Sequence, residues 1–144
     1  MIKIVKRFDE LTNRELYQIL QMRMEAFIVE QKGCYQDLDD IDYDAIHIFY
    51  MDNNSMLGCI RVFEKKDEEN CAQFGRLVVK TRNQGLGKQL MKDAEIIAKD
   101  YFHATHIYLT GRKSAFGFYE KCHYDLIEEC SFETTGYGIF RKVI

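Results

Sequence analysis

Residues 74–90, FGRLVVKTRNQGLGKQL, hold the residue types and spacing best suited to chemistry in this chain. An apolar run stops at a basic turn with two glycines, and the turn opens into an amphipathic pattern. From Gly85 onward, Leu86, Leu90, Ala94, Ile97 and Tyr101 fall on one face of a 3.6-residue period. The first amides of a helix have no intrahelical acceptor, and that end carries partial positive charge that ordinarily attracts acidic residues. Here Arg82, Lys88 and Lys92 gather instead. Free amides, glycines that let the backbone approach a ligand, and added cations together suit a phosphate or pyrophosphate. An ordinary loop with solvated lysines is the plainer alternative. The segment lacks the third glycine of a dinucleotide fingerprint, and Gln89 stands where a Walker turn needs Ser or Thr.

Other reactive residues are less well placed. Cys34, Cys59, Cys71, Cys122 and Cys130 form an odd set with no CxxC pair and no histidine at ligand spacing, so reduced thiols and no metal are expected. Cys122 and His123 could pair as nucleophile and base, but adjacent side chains usually point apart. In CYQDLDDIDYD the residues Asp37, Asp39, Asp40, Asp42 and Asp44 crowd together. An EF-hand register from Asp40 puts Ala45 at the glycine position and Met51 at the bidentate glutamate, so calcium is not expected. The loop reads either as a solvated acidic surface or as a means of drawing a cationic substrate toward a cleft.

The elements that must position these groups follow from periodicity. Residues 2–8 alternate as an edge strand. Thr12 and Glu15 form a capping-box pattern, and Leu16, Ile19, Leu20, Arg23 and Phe27 continue a long first helix ending near Gly33. Residues 46–51, 56–65 and 71–80 read as a three-strand meander leading into the basic turn. After the turn helix come a strand at 106–110, a short helix at 114–121, and strands at 124–133 and 137–143 joined around TTG. The order is β, α, βββ, α, β, α, ββ.

With 144 residues, 47% of them hydrophobic, the chain suits one domain with a substantial core, and no run is long enough to span a membrane. The opening MIKIVKRFDE has no apolar stretch of signal-peptide length, so a cytoplasmic location is expected. A net charge of −3 argues against a nucleic-acid partner, which calls for a basic face. Proline is absent where average usage gives about seven. Turns must therefore use Gly, Asn and Asp.

The turn resembles the [Q/R]xxGx[G/A] motif of the GNAT N-acetyltransferases, matched by Arg82, Gly85 and Gly87, and the order of elements is also theirs. SAFGFYEKCHY is similar to that family's AxxFYxKxGF segment through Ala115, Phe118, Tyr119 and Lys121. RMEAFIVEQ, through Arg23, Phe27, Glu30 and Gln31, with His47 and Gly75-Arg76 following, is similar to the ElaA-like branch. The resemblance implies a GNAT-type acyl-CoA N-acyltransferase fold, an α/β (α+β) arrangement with a mixed, mostly antiparallel sheet flanked by helices. It implies acetyl-CoA as cosubstrate, held by backbone amides near Leu77, Val78 and Val79 and by Arg82, Asn83, Gln84, Gly85, Leu86, Gly87 and Lys88. Tyr119 is implied as general acid, with Glu30 the first candidate for base and His47 and Glu25 also in the branch pattern. The expected partner is a primary amine of a small molecule or peptide, and a homodimer is an assembly the resemblance allows. Three departures stand out. Asn83 replaces a glycine and requires a positive φ, the approach from Val79 to Arg82 is two residues short, and Arg112 occupies the place of a pantetheine-bonding Asn. A non-catalytic CoA-binding module and an acyl-homoserine-lactone-synthase-like enzyme are the competing readings.

Overall fold

The computed structural model describes residues 1–33, 35–132 and 135–144. Cys34, Glu133 at the end of the expected 124–133 strand, and Thr134 of the expected TTG turn lie outside them. Seven strands form one sheet in the order β1-β2-β3-β4-β5-β7-β6. They are β1 (Ile2–Arg7), β2 (Ile46–Asp52), β3 (Ser55–Glu64), β4 (Cys71–Val79), β5 (His106–Arg112), β6 (Asp125–Phe132) and β7 (Thr135–Val143). All neighbours are antiparallel except β4 and β5. Helices α1 (Asn13–Arg23), α2 (Leu86–Phe102) and α3 (Phe116–Lys121) complete the frame. The element order matches the sequence reading, and so does the mixed, helix-flanked sheet.

Strand alternation sends side chains to two cores. Ile48, Tyr50, Ile60 and Val62 meet Leu90, Met91, Ala94 and Ala98 of α2, while Phe49, Cys59 and Val78 meet Ile19 of α1 on the other face. Burying a side chain of this size contributes roughly 1.5–3 kcal/mol, which fixes both helices to the sheet. The expected capping box is present: Glu15 N donates to Thr12 Oγ1 at 3.1 Å and Thr12 N donates to Glu15 Oε1 at 2.8 Å. The first helix is not uniform, however. From Met24 to Glu30 it widens into π geometry, with Gln31 N donating to Ala26 O. Such a bulge rotates the following side chains relative to an α-helical continuation.

Two irregularities open the sheet. The parallel β4–β5 pairing runs only from Cys71↔His106 to Gln73↔Tyr108. Beyond Gln73 the two strands diverge. In the β3–β4 ladder, Cys59 faces Val78 but Arg61 faces Gly75, so one extra residue bulges from β4. Arg76 supplies the bulge with a φ of 55°, an unusual conformation for a residue with a Cβ and one that bends a strand.

Candidate active site

The divergence of β4 from β5 leaves a cavity of about 310 Å³. Its walls come from β3 (Arg61, Phe63), β4 (Gln73 to Leu77), β5 (Leu109 to Arg112), the π segment's end (Phe27, Gln31), and Tyr35, Tyr119 and Tyr137. Of the residues expected from sequence, Leu77 and Tyr119 share this cavity, and Val78 and Val79 continue β4 toward the basic turn.

Tyr119 is placed by packing. Its ring lies 5.3 Å from those of Phe118 and Phe140, and a Cβ built at Gly111 would come within 2.3 Å of it. Burial pushes its hydroxyl up to about 12, with Cys122 adding in the same sense. The phenol thus stays protonated through neutral pH. Gly111→Ala is expected to displace the ring and, with Tyr119 as the general acid the resemblance implies, to lower acetyl-CoA turnover by about 10²-fold, as a misplaced reacting group does. Steady-state kinetics check this.

The basic turn fits an anionic ligand. Gly85 has a φ of 78° with open space where a Cβ would be, and Asn83 takes the positive φ its place in the motif requires, 64°. Helix α2 begins at Leu86 with no acidic residue in its first turn and no side-chain cap, so its leading amides are available. Gly87 lies 3.4 Å from the Phe118 ring, measured at its would-be Cβ, which joins the turn to the helix carrying Tyr119.

Glu30 and His47 lie elsewhere. Glu30 is exposed at the turn, 3.8 Å from Arg82, and is not in the cavity wall. His47, on β2, is buried, with Nε2 3.0 Å from the Asp42 carbonyl. A carbonyl only accepts, so Nε2 carries the proton.

The acidic loop is solvated only in part: Asp40 and Asp44 face solvent, as one reading expected, while Asp37, Asp39 and Asp42 turn inward. Buried Arg23 bonds Asp37 through Nε at 2.9 Å and Asp42 through Nη1 and Nη2 at 2.8 and 3.1 Å. Arg61 bonds Asp39 at 2.7 and 2.8 Å and Asp42 at 3.1 Å, and Arg76 lies 2.8 Å from Asp37 and 3.3 Å from Asp39. Three arginines and three aspartates balance, since burying unpaired charge is prohibitive. Arg61 and Arg76 then form the cavity wall. Sequence reasoning gave neither a role, although a signal existed: Arg61 interrupts the inward set Leu57, Cys59, Phe63 on β3, and a charge at such a position demands partners.

This cluster contributes to the acid response. Burial raises Asp39 and Asp42, but hydrogen bonds and charge from Arg61 and Arg23 outweigh it and hold both below the ordinary 3.8. Burial also lowers His47 below 6.5, only partly opposed by Asp42. All three folded values are depressed, so their stability is present above the unfolded values and lost as pH falls. Urea midpoints are expected to be constant above about pH 6.5, to decline below it, and to decline again below about pH 4.5, where Glu15 and Glu68, both lowered from 4.5, add to the aspartates. His47→Gln should remove the upper step; a step that survives would contradict the assignment.

Cys71, His106 and Glu68 also meet, through the Cys71↔His106 pairing, with ligand atoms within 4.8 Å of one another, which their sequence spacing did not suggest. Arg141 engages both Glu68 oxygens at 2.7 Å.

A parallel pair that splays beside a strand bulge, next to a glycine turn opening a helix, defines an acyl-CoA N-acyltransferase fold. The Acetyltransferase (GNAT) family profile matches residues 14–124, and the chain belongs to that family. Within it the chain is similar to Protein ElaA of Escherichia coli K12, 29% identical over 143 residues covering 94% of this chain and 93% of that protein. The crystal structure of E. coli ElaA superposes with a TM-score of 0.86 at 25% identity, covering 98% of this chain and 99% of that one. An acyl-CoA N-acyltransferase from Pseudomonas aeruginosa superposes at 0.88, with 28% identity over 99% of this chain and 100% of the other. An aminoglycoside 6'-N-acetyltransferase complexed with coenzyme A shares the fold at a TM-score of 0.78 and 15% identity, covering 97% and 96% of the two chains. Among the described residues no helix is long and apolar enough to cross a membrane.

Proposed function

We propose that this chain is an acetyl-CoA-dependent N-acetyltransferase that moves the acetyl group directly to a primary amine of a small molecule or peptide. The observation carrying this reading is that one cavity joins the unpaired edge of β4 beyond Gln73 to the Tyr119 side chain. The amides along Leu77, Val78 and Val79 suit a pantetheine arm. Those from Arg82 through Asn83, Gln84, Gly85, Leu86 and Gly87 to Lys88 suit the diphosphate, with Arg82 and Lys88 adding charge. The relative crystallised with coenzyme A has the same fold.

In the transfer the amine nitrogen forms a bond to the acyl carbon and the carbon–sulfur bond breaks. The electron pair leaves with sulfur, which gains a proton as the nitrogen loses one. The Tyr119 hydroxyl donates toward that sulfur. Its raised pKa means proton transfer completes only in step with departure of the amine proton. Glu30 lies against Arg82 at the turn, where it could receive that proton through water. His47 supports the wall by holding the Asp42 carbonyl, a positioning role.

The test is release of CoA thiol from acetyl-CoA with a panel of primary amines. Turnover with at least one amine, saturable in both substrates, is expected. Acetyl-CoA binding with no transfer to any amine would favour the non-catalytic module.

A further inference from the structure

The cavity wall says what kind of amine it accepts. Among the described residues its charged side chains are Arg61, Arg76 and Arg112, and no carboxylate lines it. Arg61 and Arg76 are paired with Asp37, Asp39 and Asp42, none of which is in the cavity wall. Both terminal nitrogens of Arg61 are taken by Asp39 and Asp42, which leaves its Nε edge on the side of Gly75. Arg112, the last residue of β5, has no ion-pair partner among the described residues, whereas Arg61 and Arg76 do. The Nε–H of buried Arg61 has no acceptor among them either. It sits 3.6 Å from where a Cβ of Gly75 would be, and Gly75 itself lines the cavity.

Arginine presents only donors, and it matches a carboxylate in a planar, two-bonded geometry. Two of the guanidiniums are also stacked. Arg61 lies 5.3 Å from the centre of the Phe63 ring and Arg76 lies 5.5 Å from that of Tyr35, so their orientations are held before any ligand arrives. Burial raises the Tyr35 phenol, while Arg76 and Arg112 both pull against that rise, which puts both cations within electrostatic reach of one wall residue. The rest of the wall is uncharged, aliphatic at Ile60, Met91 and Leu109 and aromatic or polar at Phe27, Gln31 and Thr110.

We propose that the acceptor is a small primary amine that also carries a carboxylate, with Arg112 as its principal anchor. This rests on the acetyl-transfer reading. It places polyamines and other polycations outside the substrate range, because their second charge would face arginine. It also assigns the cavity a part in the chemistry. The unpaired guanidinium of Arg112 disfavours the ammonium form, so the bound amine sheds its proton to water more readily and becomes the nucleophile. No acidic side chain in the wall is needed for that step.

The experiment uses matched pairs that differ only in the carboxylate: L-phenylalanine against L-phenylalaninamide, L-methionine against L-methioninamide, and glycine against glycinamide, with spermidine as the polycation. Initial rates of CoA release give kcat/KM for each. Within any pair turned over, the carboxylate member is expected to lead by about tenfold or more, the size of one charge-assisted hydrogen bond, and spermidine to give no turnover. Arg112→Gln should collapse that ratio toward one, and Arg112→Glu should invert it. A preference for the amides or spermidine, or an unchanged ratio in both variants, overturns the proposal while leaving acetyl transfer intact.

A second arm does not need catalysis. N-acetyl-L-phenylalanine and its amide, the product-like pair, are titrated into wild type and Arg112→Gln. Stronger binding of the acid, abolished in Arg112→Gln, supports the anchor even if every amine fails as a substrate, in which case the transfer reading alone is lost. Equal binding of acid and amide, or none at millimolar ligand, counts against the anchor.

Discussion

Tyr119→Phe is expected to lower kcat by about 10²- to 10⁴-fold, the range for losing a positioned proton donor, with little change in acetyl-CoA affinity. The substitution removes one oxygen and keeps the ring that packs on Phe118, Phe140 and Gly111. Fold and basic turn should therefore survive. The loss should fall on kcat and kcat/KM alike, as it does when an interaction is made only in the transition state. Because burial holds the hydroxyl at about 12, the wild-type kcat profile should show no limb from Tyr119 ionisation below about pH 10. Unchanged turnover in Tyr119→Phe would move the donor role to another group.

Arg23→Met is expected to cost about 3–5 kcal/mol of stability, the penalty for removing one partner of a buried ion pair. Arg23 is 1% exposed, and its bonds to Asp37 and Asp42 tie the start of the 37–44 loop to its end, where Ile41–Asp44 form a 3-10 turn just before β2. Without it two carboxylates face the interior underpaired. Arg76 and Arg61, which share those carboxylates, should then lose their fixed positions in the cavity wall. Arg23→Lys should not rescue, since an ammonium cannot present the same planar fork. Adding Asp37→Asn and Asp42→Asn to Arg23→Met should recover part of the loss, measured by urea unfolding of the single, double and triple variants. A triple variant no better than Arg23→Met would show that the charges are not what the arginine holds.

The backbone order was legible because periodicity reports it: the 3.6-residue face of α2 and the alternation of β3 follow directly from which residues must leave water. The turn between β4 and α2 was legible for a related reason, since the apolar run halts at glycines and an amphipathic face starts at Leu86. The interior of the site was not. Asp37, Asp39 and Asp42 are separated in the chain from Arg23, Arg61 and Arg76, and nothing local reveals whether a carboxylate faces water or a guanidinium. The π widening after Arg23 and the bulge at Arg76 depend on how α1 and β3 seat on the sheet. Those two deviations decide which side chains enter the cavity. Glu30 and Gln31 show the consequence: adjacent in the chain, one meets Arg82 and the other lines the cavity. Arg112 was legible only as a departure from the family pattern, and the role proposed for it came from a charge with no ion-pair partner among the described residues.

Titration calorimetry with acetyl-CoA tests the central claim most directly. One-to-one binding with a micromolar dissociation constant is the expected result, about 8 kcal/mol of binding free energy. The absence of heat at micromolar ligand, with the protein shown to be folded, would contradict acetyl-CoA use by this chain and with it the assignment of the β4–β5 opening.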